Sequence, residues 1–187
     1  NYAPQSPYSA SKSAGDHLVR SYGNTYGLKY IITNCSNNFG PYQFLEKLIP
    51  VVIKSCLNKK IIPVYGKGNN IRDWIYVEDH CDAIYKCLIK KNFGSTYLIG
   101  GDYEISNINL VKKICNIYDK ITNNNFKSSK LISFVKDRKG HDFRYSIDNS
   151  DIKKKIRWKP SKKFDDNLKK TIQFYIDNRN LLKKIFP

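Results

Sequence analysis

The sequence predicts an α/β fold. Short β-branched apolar runs alternate without a break with amphipathic helical stretches, the pattern of strands covered by helices. With 187 residues, 41% hydrophobic and 13% aromatic, the chain has apolar mass for one domain or one and a fraction. That composition also argues against wholesale disorder. No apolar run approaches the ~20 residues a membrane helix needs. No stretch reads as a secretory or lipidation signal.

Ser6 and Pro7 open the first predicted helix, a cap followed by a residue that needs no backbone N–H in the first turn. The helix carries Asp16, Leu18, Val19 and Tyr22, and Gly27 stops it. Residues 30–35 are short, apolar and β-branched, a buried strand. They run into Ser36-Asn37-Asn38-Phe39-Gly40-Pro41. Asn-rich Gly-Pro stretches favour a turn. The alternative is functional: ligands sit beyond the carboxyl ends of strands in open sheets, and two amides there can bond a cofactor or sugar.

Residues 46–57 form an amphipathic helix, 61–65 a strand before a Gly-Lys-Gly turn, and 72–77 another strand. Residues 78–90 read as a helix with Ala83, Ile84, Cys87 and Leu88 facing inward. Residues 95–99 are a strand, 109–118 a helix, and the polar stretch through Ser129 a mobile loop. A strand at 131–135 leads into Asp137-Arg138-Lys139-Gly140-His141-Asp142. Residues 145–148 begin the last unit, with helices at 151–156 and 164–179 around Trp158-Lys159-Pro160.

The formal charge is +17, which raises a nucleic-acid partner. The lysines are scattered among Asn and Ile, however, without the clustered aromatic platforms that single strands require. A positive field that captures a phosphorylated small molecule is the simpler use. The 5 cysteines form no Cys-x-x-Cys pair. They are expected to be small core residues in a reducing cytoplasm, with no metal. The chain contains no Met, so it is expected to be an excerpt of a longer or processed product.

Tyr8 and Lys12 lie four apart and share a helix face. A phenol near pKa ~10 is a poor base at neutral pH, and a nearby ammonium lowers that value. The pair is therefore either a proton-abstracting unit or two surface residues one turn apart. No Gly-rich dinucleotide turn occurs in the chain.

Taken in order, Tyr8-Ser9-Ala10-Ser11-Lys12, Thr33 through Tyr42, Glu46 through Pro50, Pro63 through Gly68, Arg72 through His80 and Asp137 through Asp142 carry a resemblance. The whole chain resembles the C-terminal portion of the dTDP-glucose 4,6-dehydratase family, extended short-chain dehydrogenase/reductases. The resemblance implies the end of a Rossmann-type NAD-binding domain over 1–40, with 70–92 returning to it. It places a smaller α/β sugar-nucleotide-binding domain mainly over 41–69 and 93–187.

It further implies that NAD takes the C4 hydride of the sugar while Tyr8 takes the hydroxyl proton. Water is then lost across C5–C6, and the hydride returns to C6. Lys12 matches the residue that holds the cofactor ribose and lowers the Tyr pKa. Asn38 matches a cofactor contact. Asn37, Lys47, Leu48, Pro63, Tyr65, Arg72, Asn107, Asp137, Arg138, Gly140 and His141 match contacts to the sugar nucleotide, with Arg72 on the pyrophosphate. The plainer readings are an ion pair from Arg72 to Asp73 or Glu78 and an exposed loop imidazole at His141. His17 and His80 read as structural.

Lys139 stands where the family usually has Pro, which predicts a less rigid loop. The family's Gly-rich turn, catalytic Thr and Asp-Glu pair lie before the stretch matched here, so the isolated chain is expected not to turn over substrate. The resemblance also implies a homodimer in which the Tyr-Lys helix packs on its partner. Ala10, Ala14, Leu18 and Tyr22 suit core or interface equally. The rival readings are a UDP-glucose dehydratase, an epimerase or a decarboxylase of the same superfamily, and, from another class, a basic nucleic-acid-binding module.

Overall fold

Ser6 caps the first helix, α1 (Pro7–Tyr26), by accepting a hydrogen bond from the Ser9 N–H at 3.1 Å. Gly27 closes it at φ +69°, a left-handed conformation that glycine adopts without strain. The computed structural model describes residues 4, 6–138 and 140–180. The lead-in before Ser6, apart from Pro4, and Lys139 lie outside the described residues. None of the α1 residues is buried. Arg20 donates to Thr96 Oγ1 at 2.9 Å, and Asn34 donates to Asp16 at 3.0 Å. These bonds tie the helix to the strands below it.

The chain continues through β1 (Ile32–Cys35), β2 (Asn37–Phe39), α2 (Leu48–Asn58), β3 (Ile62–Tyr65), β4 (Ile71–Tyr76) and α3 (Val77–Lys90). Then follow β5 (Thr96–Ile99), β6 (Glu104–Ser106), α4 (Asn107–Thr122), a single 3₁₀ turn (Ser128–Leu131) and β7 (Ile132–Val135). The chain ends its described part with β8 (Arg144–Tyr145), α5 (Ser150–Lys155) and α6 (Phe164–Asp177). The fold is α/β, as the alternation predicts.

Among the described residues the strands form three small sheets. β1 pairs parallel with β5, and β3 parallel with β7. β4 is the hub of the third: β2 and β8 pair with it in parallel and β6 in antiparallel. Asn37 and Asn38 therefore lie in a strand, not in the turn their composition favours. Pairing with Trp74 and Ile75 overrides local turn preference.

β4 also divides the core. Its alternating side chains send Trp74 and Tyr76 into one cluster and Ile75 into the other. The larger cluster packs Ile49, Val52 and Ile53 of α2 against Leu110 and Ile114 of α4 and Leu168 and Ile172 of α6. The smaller holds Ala83 and Cys87 of α3, Tyr97 and Ile99 of β5, Ile152 and Trp158. The buried Asp73 carboxylate accepts the N–H groups of Gly101 (3.0 Å) and Tyr103 (2.9 Å), fixing the turn after β5 on β4. A Cβ at Gly101 would stand 1.8 Å from the Trp74 carbonyl oxygen, so only glycine fits.

Several expectations need correction. Ala83 and Cys87 face inward, but Ile84 and Leu88 are 42% and 61% exposed. α3 has two apolar stripes, and the smaller residues take the core. Cys56, Cys87 and Cys115 are core residues and Cys35 is partly covered, but Cys81 is exposed. The polar stretch after α4 is anchored at Ser128, whose N–H and hydroxyl both donate to the Asp119 carboxylate. Among the described residues no helix is long and apolar enough to cross a membrane.

Candidate active site

The strand ends place two groups of the candidate residues. The first gathers at the carboxyl ends of β1 and β2. Tyr8 and Lys12 occupy the first turns of α1, with the Tyr8 ring 73% exposed. The Lys12 charge reaches the Cys35 thiol and opposes the rise that burial causes in its pKa. The Tyr8 phenol lies close enough to Tyr145 to raise that phenol's pKa, the main cause there being burial. Asn38 donates to Cys35 Sγ at 3.2 Å and to the Ser36 carbonyl at 3.3 Å. The Asn38 Oδ1 stands 2.9 Å from His80 Nδ1, and Gln43 donates to the Asn38 carbonyl at 2.7 Å. Asn37 lies beside it on β2, opposite Trp74.

The second group surrounds Arg72 on β4. Its guanidinium donates to the carbonyls of Ile71 and Asp142, both at 2.7 Å. It pairs with neither Asp73 nor Glu78; Asp73 is spent on backbone amides instead. Burial first, then the neighbouring Arg138 charge, lowers the Arg72 pKa, while Asp142 and Asp137 oppose the shift. Arg138 lies over the Tyr65 ring, 4.9 Å from its centroid, and bonds His141 Nε2 at 3.2 Å. His141 Nδ1 meets the Asp137 carboxylate at 2.7 Å.

A guanidinium cannot accept, so in the contact with Arg138 His141 Nε2 is the acceptor, and a carboxylate cannot donate, so Nδ1 is the donor to Asp137. The His141 side chain is only 8% exposed, so it is not a free loop imidazole. Gly140 turns the loop at φ +66°. Asn107 opens α4, and its N–H bonds the carbonyl of the buried Asn70, whose side chain donates to the Asp142 carbonyl at 3.1 Å. Loop and strand carbonyls hold the Arg72 guanidinium, and His141 and the Tyr65 ring hold that of Arg138, a pair of groups able to bond an anion.

Sequence reasoning missed the residue that joins the two groups. Tyr145 on β8 stands opposite Arg72 in the strand register, and its hydroxyl donates to the Cys35 carbonyl at 3.3 Å. A two-residue strand carries no periodicity, so no pattern announced it. The contacts of His80 and Asn70 were missed as well, because each bonds a partner far along the chain. Lys47 and Leu48 open α2, and Pro63 lies on β3 opposite Ser133. No hydrogen bond ties these three side chains to either group. A crevice of about 270 Å³ between Trp74, Tyr103 and Phe164 includes none of the candidates.

Parallel strand pairs with helices between them, and Tyr8 and Lys12 one turn apart on α1, define an α/β fold of the Rossmann type. The family described as GDP-mannose 4,6 dehydratase matches residues 1–171. The chain belongs to that family. It is 49% identical over 184 residues to a dTDP-glucose 4,6-dehydratase of Shigella flexneri, covering 98% of this chain and 51% of the relative. It is 50% identical over 177 residues to dTDP-glucose 4,6-dehydratase 1 of Escherichia coli K12, covering 95% and 49%.

Among solved structures, the dTDP-glucose 4,6-dehydratase of Bacillus anthracis in complex with NAD superposes with TM-score 0.86 at 41% identity, over 96% of this chain and 55% of that one. A Streptomyces venezuelae dTDP-glucose 4,6-dehydratase with NAD bound gives TM-score 0.86 at 39%, over 97% and 54%. A Bacillus cereus UDP-glucuronic acid 4-epimerase shares the fold, with TM-score 0.83 at 23% identity, over 95% and 55%. The chain spans about half the length of the curated relatives it matches.

Proposed function

We propose that this chain is the Tyr-Lys and sugar-nucleotide half of an NAD-dependent dTDP-glucose 4,6-dehydratase. The observation that carries the reading is the link through Tyr145. It sets the Tyr8, Lys12 and Asn38 group beside the Arg72, Arg138 and His141 cradle. NAD, when bound, supplies a reversible hydride acceptor. Lys12 would hold its ribose beside the Tyr8 hydroxyl, and Asn38 would contact it. Ser36 Oγ and Gln43 Oε1, on either side of Asn38, are buried and have no hydrogen-bond partner among the described residues. That unspent capacity fits a polar cofactor there.

Tyr8 removes the sugar hydroxyl proton as the carbinol is oxidised, which makes the neighbouring carbon acidic enough for water to be lost. Arg72 and Arg138 neutralise the diphosphate, and Tyr65, Asn107, Asp137, Gly140 and His141 shape the nucleotide contacts. Asn37, Lys47, Leu48 and Pro63 complete the sugar-nucleotide surface. Residues 1–40 and 70–92 serve the cofactor domain, and 41–69 and 93–187 mainly the substrate domain. β5, although drawn from the second stretch, pairs with β1 of the first.

The exposed apolar residues of α1, Leu18 (60%), Tyr22 (55%) and Tyr26 (75%), suit packing against a second copy in a homodimer. All 5 cysteines are free thiols, which suits a reducing cytoplasm.

Turnover of dTDP-glucose against UDP-glucose by the full-length protein tests the reading. The expected result is a preference for dTDP-glucose and a 4-keto-6-deoxy product. An unreactive dTDP-glucose with an epimerised UDP-sugar overturns it.

A further inference from the structure

The hydrogen bonds around Asn38 assign both ends of its amide. The Ser36 carbonyl can only accept, so the group that meets it at 3.3 Å is the Asn38 NH₂. The Asn38 Oδ1 then faces His80 Nδ1 at 2.9 Å. An amide oxygen can only accept in turn, so the proton of the neutral ring belongs on Nδ1. His80 is half-buried, and burial lowers its pKa, which keeps the ring neutral with a single N–H to give. That N–H reaches across from the first turn of α3 to β2, so two elements separated by 42 positions agree on one orientation of one side chain.

Resting on the proposed role of Asn38 toward NAD, we propose that His80 is a positioning residue: as the Nδ1–H tautomer it locks the Asn38 amide in a single flip, so that Asn38 offers the cofactor a fixed hydrogen-bonding edge. Without the imidazole, the inverted amide turns its oxygen toward the Ser36 carbonyl. The native flip leaves that oxygen without its donor. Either way Asn38 samples orientations that do not match the cofactor, and part of the binding energy goes to reordering it.

The test uses the full-length protein. Nitrogen-15 histidine spectra report which ring nitrogen is protonated, and the His80 signal is the one lost in His80→Asn. The expected result is a proton on Nδ1. NAD affinity is then measured in His80→Phe, which keeps a ring and removes the donor, and in His80→Asn, whose amide nitrogen takes the place of Nδ1. Binding in His80→Phe is expected to weaken by about fivefold or more. His80→Asn is expected to stay within about twofold of wild type, with dTDP affinity unchanged in both.

A proton on Nε2, or a charged ring, overturns the lock while leaving the function reading intact. So does unaltered NAD binding in a folded His80→Phe. Should His80→Phe fail to fold, the wild-type tautomer decides. A wild-type protein that binds no NAD overturns the function reading, and the cofactor role of His80 with it.

Discussion

Arg72 shows most directly how position makes chemistry at the scale of a residue. Its planar fork is already aimed by the Asp142 and Ile71 carbonyls, and a second guanidinium stands close by. A lysine keeps the charge but cannot present two parallel donors. Arg72→Lys in the full-length protein is predicted to raise KM for the sugar nucleotide by about tenfold to a hundredfold, equivalent to ~1.5–3 kcal/mol for a charged hydrogen bond. The kcat is predicted to change less, because the diphosphate is far from the reacting carbons. Steady-state kinetics check this, and an unchanged KM would remove Arg72 from the cradle.

At this scale the candidate groupings were legible where the residues lie close along the chain. Tyr8 with Lys12 and Arg138 with His141 are near in sequence. Tyr145, Asn70 and His80 were not legible in those roles. Each acts on a partner far along the chain, and one sequence records no such pairing.

Local signals were strongest at the scale of elements where the backbone itself demands a residue. Ser6, Pro7 and Gly27 marked both ends of α1, and the structure uses each as expected. Ser6→Ala is predicted to destabilise the protein by about 0.5–2 kcal/mol, read from denaturant midpoints, because the Ser9 N–H loses its acceptor. Signals failed where two faces competed. α3 offered Ala83-Cys87 and Ile84-Leu88 as equally apolar stripes, and burial followed the close approach that small residues allow. β2 failed for another reason: Asn37 and Asn38 have turn chemistry, and only their pairing with β4 makes them a strand.

The hub strand β4 also sets a tight limit on its neighbour. Gly101→Ala places a Cβ 1.8 Å from the Trp74 oxygen. The cost is predicted to reach the upper end of the ~1–3 kcal/mol typical of overpacking or beyond. A thermal midpoint equal to wild type would contradict it.

At the scale of the whole molecule, burial acts on the alkaline side of the pH range. It raises the phenols of Tyr76, Tyr118, Tyr145 and Tyr175, the last to about 12. A raised native pKa means that the folded state holds its proton more tightly than the unfolded chain. The associated stability is therefore whole below ~10, the ordinary phenol value, and is lost as pH rises toward 12. Glu104 works in the opposite direction. Hydrogen bonds from Arg144 and Ser146 hold its carboxyl below the ordinary value of 4.5, so its share is present above that value and is lost as pH falls through the lowered one.

Stability is thus predicted to decline on the alkaline side from about pH 10, and Tyr175→Phe is predicted to flatten that decline. At neutral pH the same variant loses the 3.0 Å bond to the Gln43 carbonyl and costs ~0.5–1.5 kcal/mol. Denaturation midpoints against pH for both proteins provide the check.

Tyr8 acting as a base beside Lys12, with the sugar nucleotide held at Arg72, is the centre of the proposed reaction. The most direct measurement is single-turnover oxidation of dTDP-glucose by full-length Tyr8→Phe, alongside its affinity for the substrate. The rate is predicted to fall by about 10²–10⁴-fold, the usual worth of a positioned acid–base group, with affinity nearly unchanged. A Tyr8→Phe protein that oxidises the sugar at close to the wild-type rate would contradict it.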